Sequence, residues 1–322
     1  MRKWLAPAEV NRLSREPGRQ MQAIDVTGVD LTRPFLPESY TQLYYAPVYR
    51  RLRDEHRLRY NQLFGVRTNE YIMMLEADLV ERLLKPLRRH PRVASDADLV
   101  QAIGVMIEEE RRHYRIFLDL NRACLPGLFT GGRERFFSEL PWRTRSLFGF
   151  IGLTARYLSF PLWYLMAMEE ASMAMARDMV REPETETLGP LDPTFVAVHR
   201  EHMKDEARHL HVDAHLIESC LLRDGDVRRW ANTRLFTTML GSIRQPERTG
   251  SGAKVIYQLV REFPDLVPLR DELVEAVTGL GDNPDYQFSL FNRRAMPLTF
   301  ELFDAAPGFA NLGDVMVGYE RH

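Results

Sequence analysis

Cysteine is almost missing from this sequence. Its 322 residues hold only Cys124 and Cys220, far apart, which excludes a disulfide framework and fits a reducing cytoplasm. Long apolar runs are missing too. The most apolar stretch, YLSFPLWYLMAM at 157–168, is shorter than the roughly 18 residues a membrane span needs and is interrupted by Pro161. It reads as a buried helix. The N-terminal residues lack the apolar stretch of a secretory signal, so a cytoplasmic location is expected and no membrane partner. Neither sign of charge dominates. A net charge of −2 leaves no electrostatic footprint for nucleic acid. No flavin or nicotinamide motif is present, and no alternating segment with turn punctuation reads as a strand.

What remains is helical periodicity. At 45% hydrophobic and 27% charged residues, the composition is that of a globular chain with a sizeable core. Residues 1–37, rich in Pro, Gly and Arg, read as an irregular arm. Helices are expected over about 38–63, ending near Gly65, and over 69–87, stopped before His90-Pro91. A third should run from the capping candidates Ser95 and Asp96 to about Cys124. The stretch 128–147 gives no clear assignment. A long apolar helix follows over about 146–181, bent at Pro161. Asp192-Pro193 has the form of an N-cap followed by proline at the first helical position, opening a helix to about Arg223. Shorter helices are expected at 226–245, 252–262, 267–280 and 286–305, before a loop-like tail. No linker divides the chain. The expectation is one all-α domain: the arm, a bundle core over about 38–224, and extra helices over 225–305.

The segment HMKDEARHLH at 202–211 is dense in histidine. At 100° per residue, His202, Glu206 and His209 fall within roughly 60° of one another, whereas His211 and His215 turn away. One stripe can therefore converge on a common point. A single Glu-x-x-His carries little weight, but the chain holds a second, Glu110 to His113. Each has a glutamate upstream inside a mostly apolar helix: Glu76, 34 residues before Glu110, and Glu170, 36 before Glu206. Glu169 competes with Glu170, since both follow the apolar run and spacing does not separate them. Other acids nearby have ordinary roles, Glu70 near a helix start and Glu81 pairing with Lys85. Glu76 has no basic partner on its helix, and a buried carboxylate is costly unless paired or bound to a metal.

A glutamate from each of two helices, with a Glu-x-x-His from each of two more, is the donor set of a ferritin-like four-helix bundle holding two metal ions. Mixed imidazole and carboxylate donors suit iron or manganese, whereas a closed tetrahedral zinc site would need fewer groups.

With His202 one turn before Glu206, the pattern Glu, Glu-x-x-His, Glu, His-x-x-x-Glu-x-x-His resembles the di-iron arylamine N-oxygenases, the p-aminobenzoate N-oxygenase family, over about 60–220. The resemblance implies the ligands Glu76, Glu110, His113, Glu170, His202, Glu206 and His209. It also implies Asp205 as a hydrogen-bond partner of His113 and Glu109 as the partner of His209. By the same resemblance, the cofactor is a pair of iron ions and dioxygen is the co-substrate. An external donor, a protein or a small reductant, supplies the electrons. The substrate is an amine, free or carrier-bound, oxidised to hydroxylamine, nitroso or nitro product. A secondary-metabolic setting, such as antibiotic biosynthesis, and a homodimer are further expectations of this kind.

The alternative is a di-iron oxygenase acting at carbon, as a hydroxylase or desaturase. The radical-generating subunit of ribonucleotide reductase fits less well, because a tyrosine is expected one turn after the first Glu-x-x-His and position 117 is Phe. An iron-storage protein would resemble a minimal bundle, and this chain adds more than the bundle needs. Tyr71, Met73, Phe117, Met166 and Met173 can line a pocket or fill plain core. Arg67 and Arg177 can hold a substrate carboxylate or lie on the surface.

Overall fold

A computed structural model describes residues 4–139, 142–155, 157–306 and 309–319. These residues form α1 (Pro7–Leu13), α2 (Asp54–Met74), α3 (Glu81–Leu87), α4 (Pro91–Ala94), α5 (Ala97–Cys124), α6 (Trp142–Thr154), α7 (Pro161–Arg181) and α8 (Pro193–Ile217). Then come α9 (Asp226–Arg244), α10 (Ser251–Glu262), α11 (Arg270–Thr278), α12 (Pro284–Leu290) and α13 (Pro297–Asp304). Among the described residues, β-pairing is confined to two isolated bridges. The all-α, ferritin-like expectation holds. Helix α2 packs on α5, α7 on α8, and α5 on α8, which makes the four-helix core.

The helix starts follow their caps. Asp96 accepts the Leu99 N–H at 3.0 Å, and Asp192 accepts the Phe195 N–H at 2.6 Å. Each satisfies a first-turn donor that has no intrahelical acceptor.

Four boundaries differ from expectation. Residues 38–51 form short 3-10 turns, and α2 begins only at Asp54. Gly65 does not end a helix. It lies inside α2, where an added Cβ would come within 2.9 Å of the Phe35 Cβ, so the glycine serves close packing rather than termination. Helix α2 instead continues through a π-helical segment, Leu75–Val80, into α3. Pro161 does not bend one long helix. It opens α7 as a first-turn proline after a break, consistent with its missing N–H. The expected helix over 286–305 is split into α12 and α13.

The N-terminal arm contains α1 and returns to the outer face of α8. Leu5 N–H donates to His211 Nδ1 at 3.3 Å, and His215 Nε2 donates to the Leu5 carbonyl at 2.8 Å. The histidines that turn away from the stripe are thereby used in holding the arm. Glu70, expected near a helix start, sits instead near the C-terminal end of α2. It is buried and accepts the N–H groups of Phe136, Phe137 and Ser138, each at 2.7 Å. Its carboxylate thus fixes the loop that follows α5.

Asp192 also accepts the Asp30 N–H at 2.8 Å, tying the arm to the start of α8. Replacing it with alanine removes both bonds. The expected outcome for Asp192→Ala is a loss of about 1–3 kcal/mol, read as a lower urea midpoint with an unchanged denaturant slope.

Candidate metal centre

Each core helix delivers its polar residues to one buried region. Glu76 comes from the π-helical segment after α2, Glu110 and His113 from α5, Glu169 from α7, and His202, Glu206 and His209 from α8. All seven are buried, none more than 6% exposed. They divide into two sets whose ligand atoms lie within 4.8 Å of one another: Glu76, His113, His202 and Glu206 in one, and Glu110, Glu169 and His209 in the other.

The distances within the cluster are short. His113 Nδ1 lies 3.6 Å from Glu76 Oε1, 3.3 Å from Glu206 Oε1 and 3.4 Å from Glu110 Oε2. His202 Nε2 lies 3.3 Å from Glu76 Oε1 and 2.9 Å from Glu206 Oε1. On the other side, His209 Nδ1 lies 3.4 Å from both Glu110 Oε1 and Glu206 Oε1. Glu110 and Glu206 thus lie between the two sets, Glu110 turning one oxygen to each histidine. Donor atoms bonded at about 2.0–2.2 Å to a common cation sit about 2.8–3.6 Å apart at tetrahedral to octahedral angles, and these spacings fall in that range.

The residues fit a pair of cations on a second count. His113 Nδ1, His202 Nε2, His209 Nδ1, both oxygens of Glu76 and of Glu169, and Glu110 Oε2 are buried without a hydrogen-bond partner. Orphaned polar atoms gathered at one point are costly unless a cation engages them. The far nitrogens of two rings are fixed. His113 Nε2 donates to Asp205 Oδ2 at 3.1 Å, and His209 Nε2 donates to Glu109 Oε2 at 2.9 Å. Both partnerships are those expected from the sequence. Each leaves Nδ1 as the free donor toward the centre.

Glu170 is corrected by the structure. Its carboxylate faces α13 and accepts the Leu298 and Thr299 N–H groups at 2.8 and 2.7 Å, which satisfies its charge at a helix start. One residue, about 100° of rotation, separates it from Glu169, and Glu169 holds the place in the cluster.

Two further residues were not anticipated. Asp213 is fully buried on α8 with both oxygens unpartnered, and burial pushes its carboxyl up to about 7. Its position four residues after His209 continues the stripe, a signal the spacing contained. Arg208 joins the two acids behind the histidines, donating to Glu109 at 2.5 Å and to Asp205 at 2.6 Å. Facing away from the stripe, it gave no such signal.

Protonation follows from burial and charge. Desolvation opposes the charged form of His113, but the Asp205, Glu110, Glu206 and Glu76 carboxylates outweigh it and hold the imidazole well above its ordinary value. His209 is likewise held well above it, against desolvation, by Glu206 and Glu110. Glu206 is itself desolvated, yet His202 and His209 hold it well below the usual carboxylate range. Burial, then the neighbouring Asp213 and Glu206 charges, push Glu169 well up. Protons on the imidazoles balance the carboxylates, so a cation entering here must displace them.

Behind the cluster runs a buried polar chain. His199 Nε2 donates to Asn69 Oδ1 at 3.0 Å, and Asn69 Nδ2 donates to Asn121 Oδ1 at 2.9 Å. Phe117 lies against both His199 and His202, with ring centroids 5.2 and 5.0 Å away.

Two cavities flank the site. A small one of about 190 Å³ reaches Glu76 and Glu110 between the π-helical segment and α5. A large one of about 1000 Å³ opens along α2 and α7, and its lining includes Leu75 and Met168, the residues immediately before Glu76 and Glu169.

A helical bundle that turns buried carboxylates and imidazoles onto two adjacent points defines the class of non-haem dimetal proteins. The model of one family, p-aminobenzoate N-oxygenase AurF, matches residues 23–250, more than half of the chain. The chain belongs to that family, whose enzymes are non-haem di-iron N-oxygenases using two iron ions and dioxygen. No curated protein matches the chain. Among the described residues, no helix is long and apolar enough to cross a membrane.

Two predictions follow from these contacts. Glu169→Gln should lower the iron bound per chain, whereas Glu170→Gln should leave iron content near that of the parent and lower thermal stability. Metal analysis paired with calorimetry separates the two. The second concerns His199. Burial, with the His202 charge, pushes it down to about 3, below its unfolded value near 6.5. Its contribution to stability is therefore complete above about pH 6.5 and is lost as the pH falls toward about 3, at up to about 1.4 kcal/mol per pH unit. Unfolding measured from pH 7 to 4.5 should show a shallower pH slope in His199→Gln than in the parent.

Proposed function

We propose that Glu76, His113, His202 and Glu206 would hold one iron ion and that Glu110, Glu169 and His209 would hold the other. On this reading the enzyme oxidises the nitrogen of an amine. One round consumes the amine, dioxygen, two electrons and two protons, and yields the hydroxylamine and water. Further rounds give nitroso or nitro product. The electrons come from an external donor protein or small reductant. A secondary-metabolic role, a cytoplasmic location and a homodimeric state belong to the same proposal.

The observation that carries this reading is the seventh donor. His202 is buried inside the cluster, 2.9 Å from Glu206 and 3.3 Å from Glu76, where a dimetal bundle built from two glutamates and two Glu-x-x-His pairs has no residue. A neutral imidazole adds a donor without adding negative charge. When bound, the iron pair activates dioxygen. The chain's own residues do the rest. Asp205 and Glu109 keep the Nδ1 atoms of His113 and His209 turned inward. Arg208 balances the charge of those two acids. Phe117, fully buried against His202, keeps water from that side of the cluster.

The test is iron content and product analysis. The parent should carry about two irons per chain and convert an aryl amine to its N-oxidised product. His202→Ala should keep its helical content and lose about tenfold or more of the N-oxidation rate, the scale on which support of metal ligands is felt. Unchanged turnover in that variant would remove the basis for the reading, and oxygen inserted at carbon instead would favour a hydroxylase.

A further inference from the structure

The large cavity is oversized for a one-ring amine, and its lining is charged to receive an anion. Clefts of about 300–1000 Å³ accept drug-sized ligands, and this one, at about 1000 Å³, stands at the top of that range. A single-ring amine would leave most of it to water. Its lining carries five arginines, Arg67, Arg177, Arg181, Arg293 and Arg294, against two acids, Asp178 and Glu247. That is a formal excess of three positive charges in a chain whose net charge is −2.

The arginines are not equivalent. Arg293 is neutralised by Asp304, at 3.0 and 3.1 Å to its two oxygens, and Arg294 lies 3.7 Å from Asp178. Arg67, Arg177 and Arg181 have no carboxylate within 4.0 Å among the described residues. Arg67 is half-buried and held from behind. Its Nε donates to Ser251 Oγ at 2.9 Å, and its guanidinium lies over the rings of Phe64 and Tyr71, 5.1 and 5.3 Å from their centroids. Arg177 is also half-buried, its Nε donating to the Met173 carbonyl at 3.4 Å. A guanidinium fixed by stacking with its outer amines uncommitted is suited to receiving a carboxylate or phosphate. Clustered positive charge in a partly enclosed cleft also concentrates anions there.

We propose that the amine oxidised by this enzyme is borne on an extended organic anion, substantially longer than one aromatic ring. Its carboxylate or phosphate sits among Arg67, Arg177 and Arg181, and its amine end points to the part of the cavity bounded by Leu75 and Met168. This rests on the N-oxygenase reading for the identity of the reacting group, but not for the cavity's choice of ligand.

The experiment is a binding titration by calorimetry on the full-length protein, with iron content measured on the same sample. Four probes share one aryl amine. p-Aminobenzoate is short and anionic. p-Aminobenzoylglutamate is long and anionic through carboxylates. p-Aminobenzoyl-phosphopantetheine is long and anionic through phosphate. The diamide of p-aminobenzoylglutamate is long and neutral. At least one long anion should bind about tenfold or more tightly than both p-aminobenzoate and the neutral diamide, the scale of one charge-assisted pair, and the tighter of the two names the anion. That preference should shrink as salt rises and be lost in the Arg177→Met/Arg181→Met double variant. The proposal is overturned if p-aminobenzoate or the diamide binds as tightly as both long anions, if no long anion binds, or if salt leaves the preference of the parent unchanged. Because binding is read without turnover, low iron or absent N-oxidation in that sample would count against the N-oxygenase reading alone.

Discussion

The architecture turns on one electrostatic constraint. Four carboxylates and three imidazoles converge in the middle of a helical bundle where water is excluded. Left unbalanced, such a group of charges would cost more than a fold of ordinary stability can supply. The bundle responds in layers. Nitrogen and oxygen atoms at the centre face one another at spacings suited to a pair of cations. Asp205 and Glu109 take up the outer ring nitrogens, and Arg208 joins the two acids through bonds of 2.6 and 2.5 Å. Two apolar clusters, one including Leu79, Trp163 and Phe303 and the other Phe35, Phe117 and Phe195, supply the burial that holds these layers together.

Much of this was legible in the sequence, for a physical reason. A donor set drawn from helices must repeat at helical spacing, so Glu110–His113 and His202–Glu206–His209 betray both the helix and its inward face. Matching upstream glutamates made the two halves recognisable. The assignment failed where spacing carries no information. Glu169 and Glu170 both follow the same apolar run, and only the N–H groups of Leu298 and Thr299, more than a hundred residues away, decide which of them turns outward. Gly65 misled in a similar way. A glycine between periodic segments reads as a stop, yet its use is set by Phe35 pressing against the helix. The small offset between the two halves gave no warning of the π-helical segment that carries Glu76.

Substrate handling was the least legible feature. Arg67 and Arg177 stood out only as charges of uncertain use, because a cavity wall is assembled from segments distant in sequence: α2, α7, the stretch after α9, and the α12–α13 connection. The metal-binding face lies on four helices and repeats itself. The cavity lies mostly on elements outside that repeat, so its shape and charge emerge only once the chain has folded.

The N-terminal arm has a bearing on how the chain assembles. Met21 N–H donates to Asp205, Gln22 N–H to Glu201, and Arg208 to the Arg19 carbonyl, contacts that link residues more than 170 positions apart. A ribosome releases residues 19–22 long before α8 has been made. The earliest of these segments to be synthesised must therefore wait, undocked, until its partner emerges. Closure over the back of the histidine helix is a late event in the biography of each molecule, and the polar interior is completed from outside.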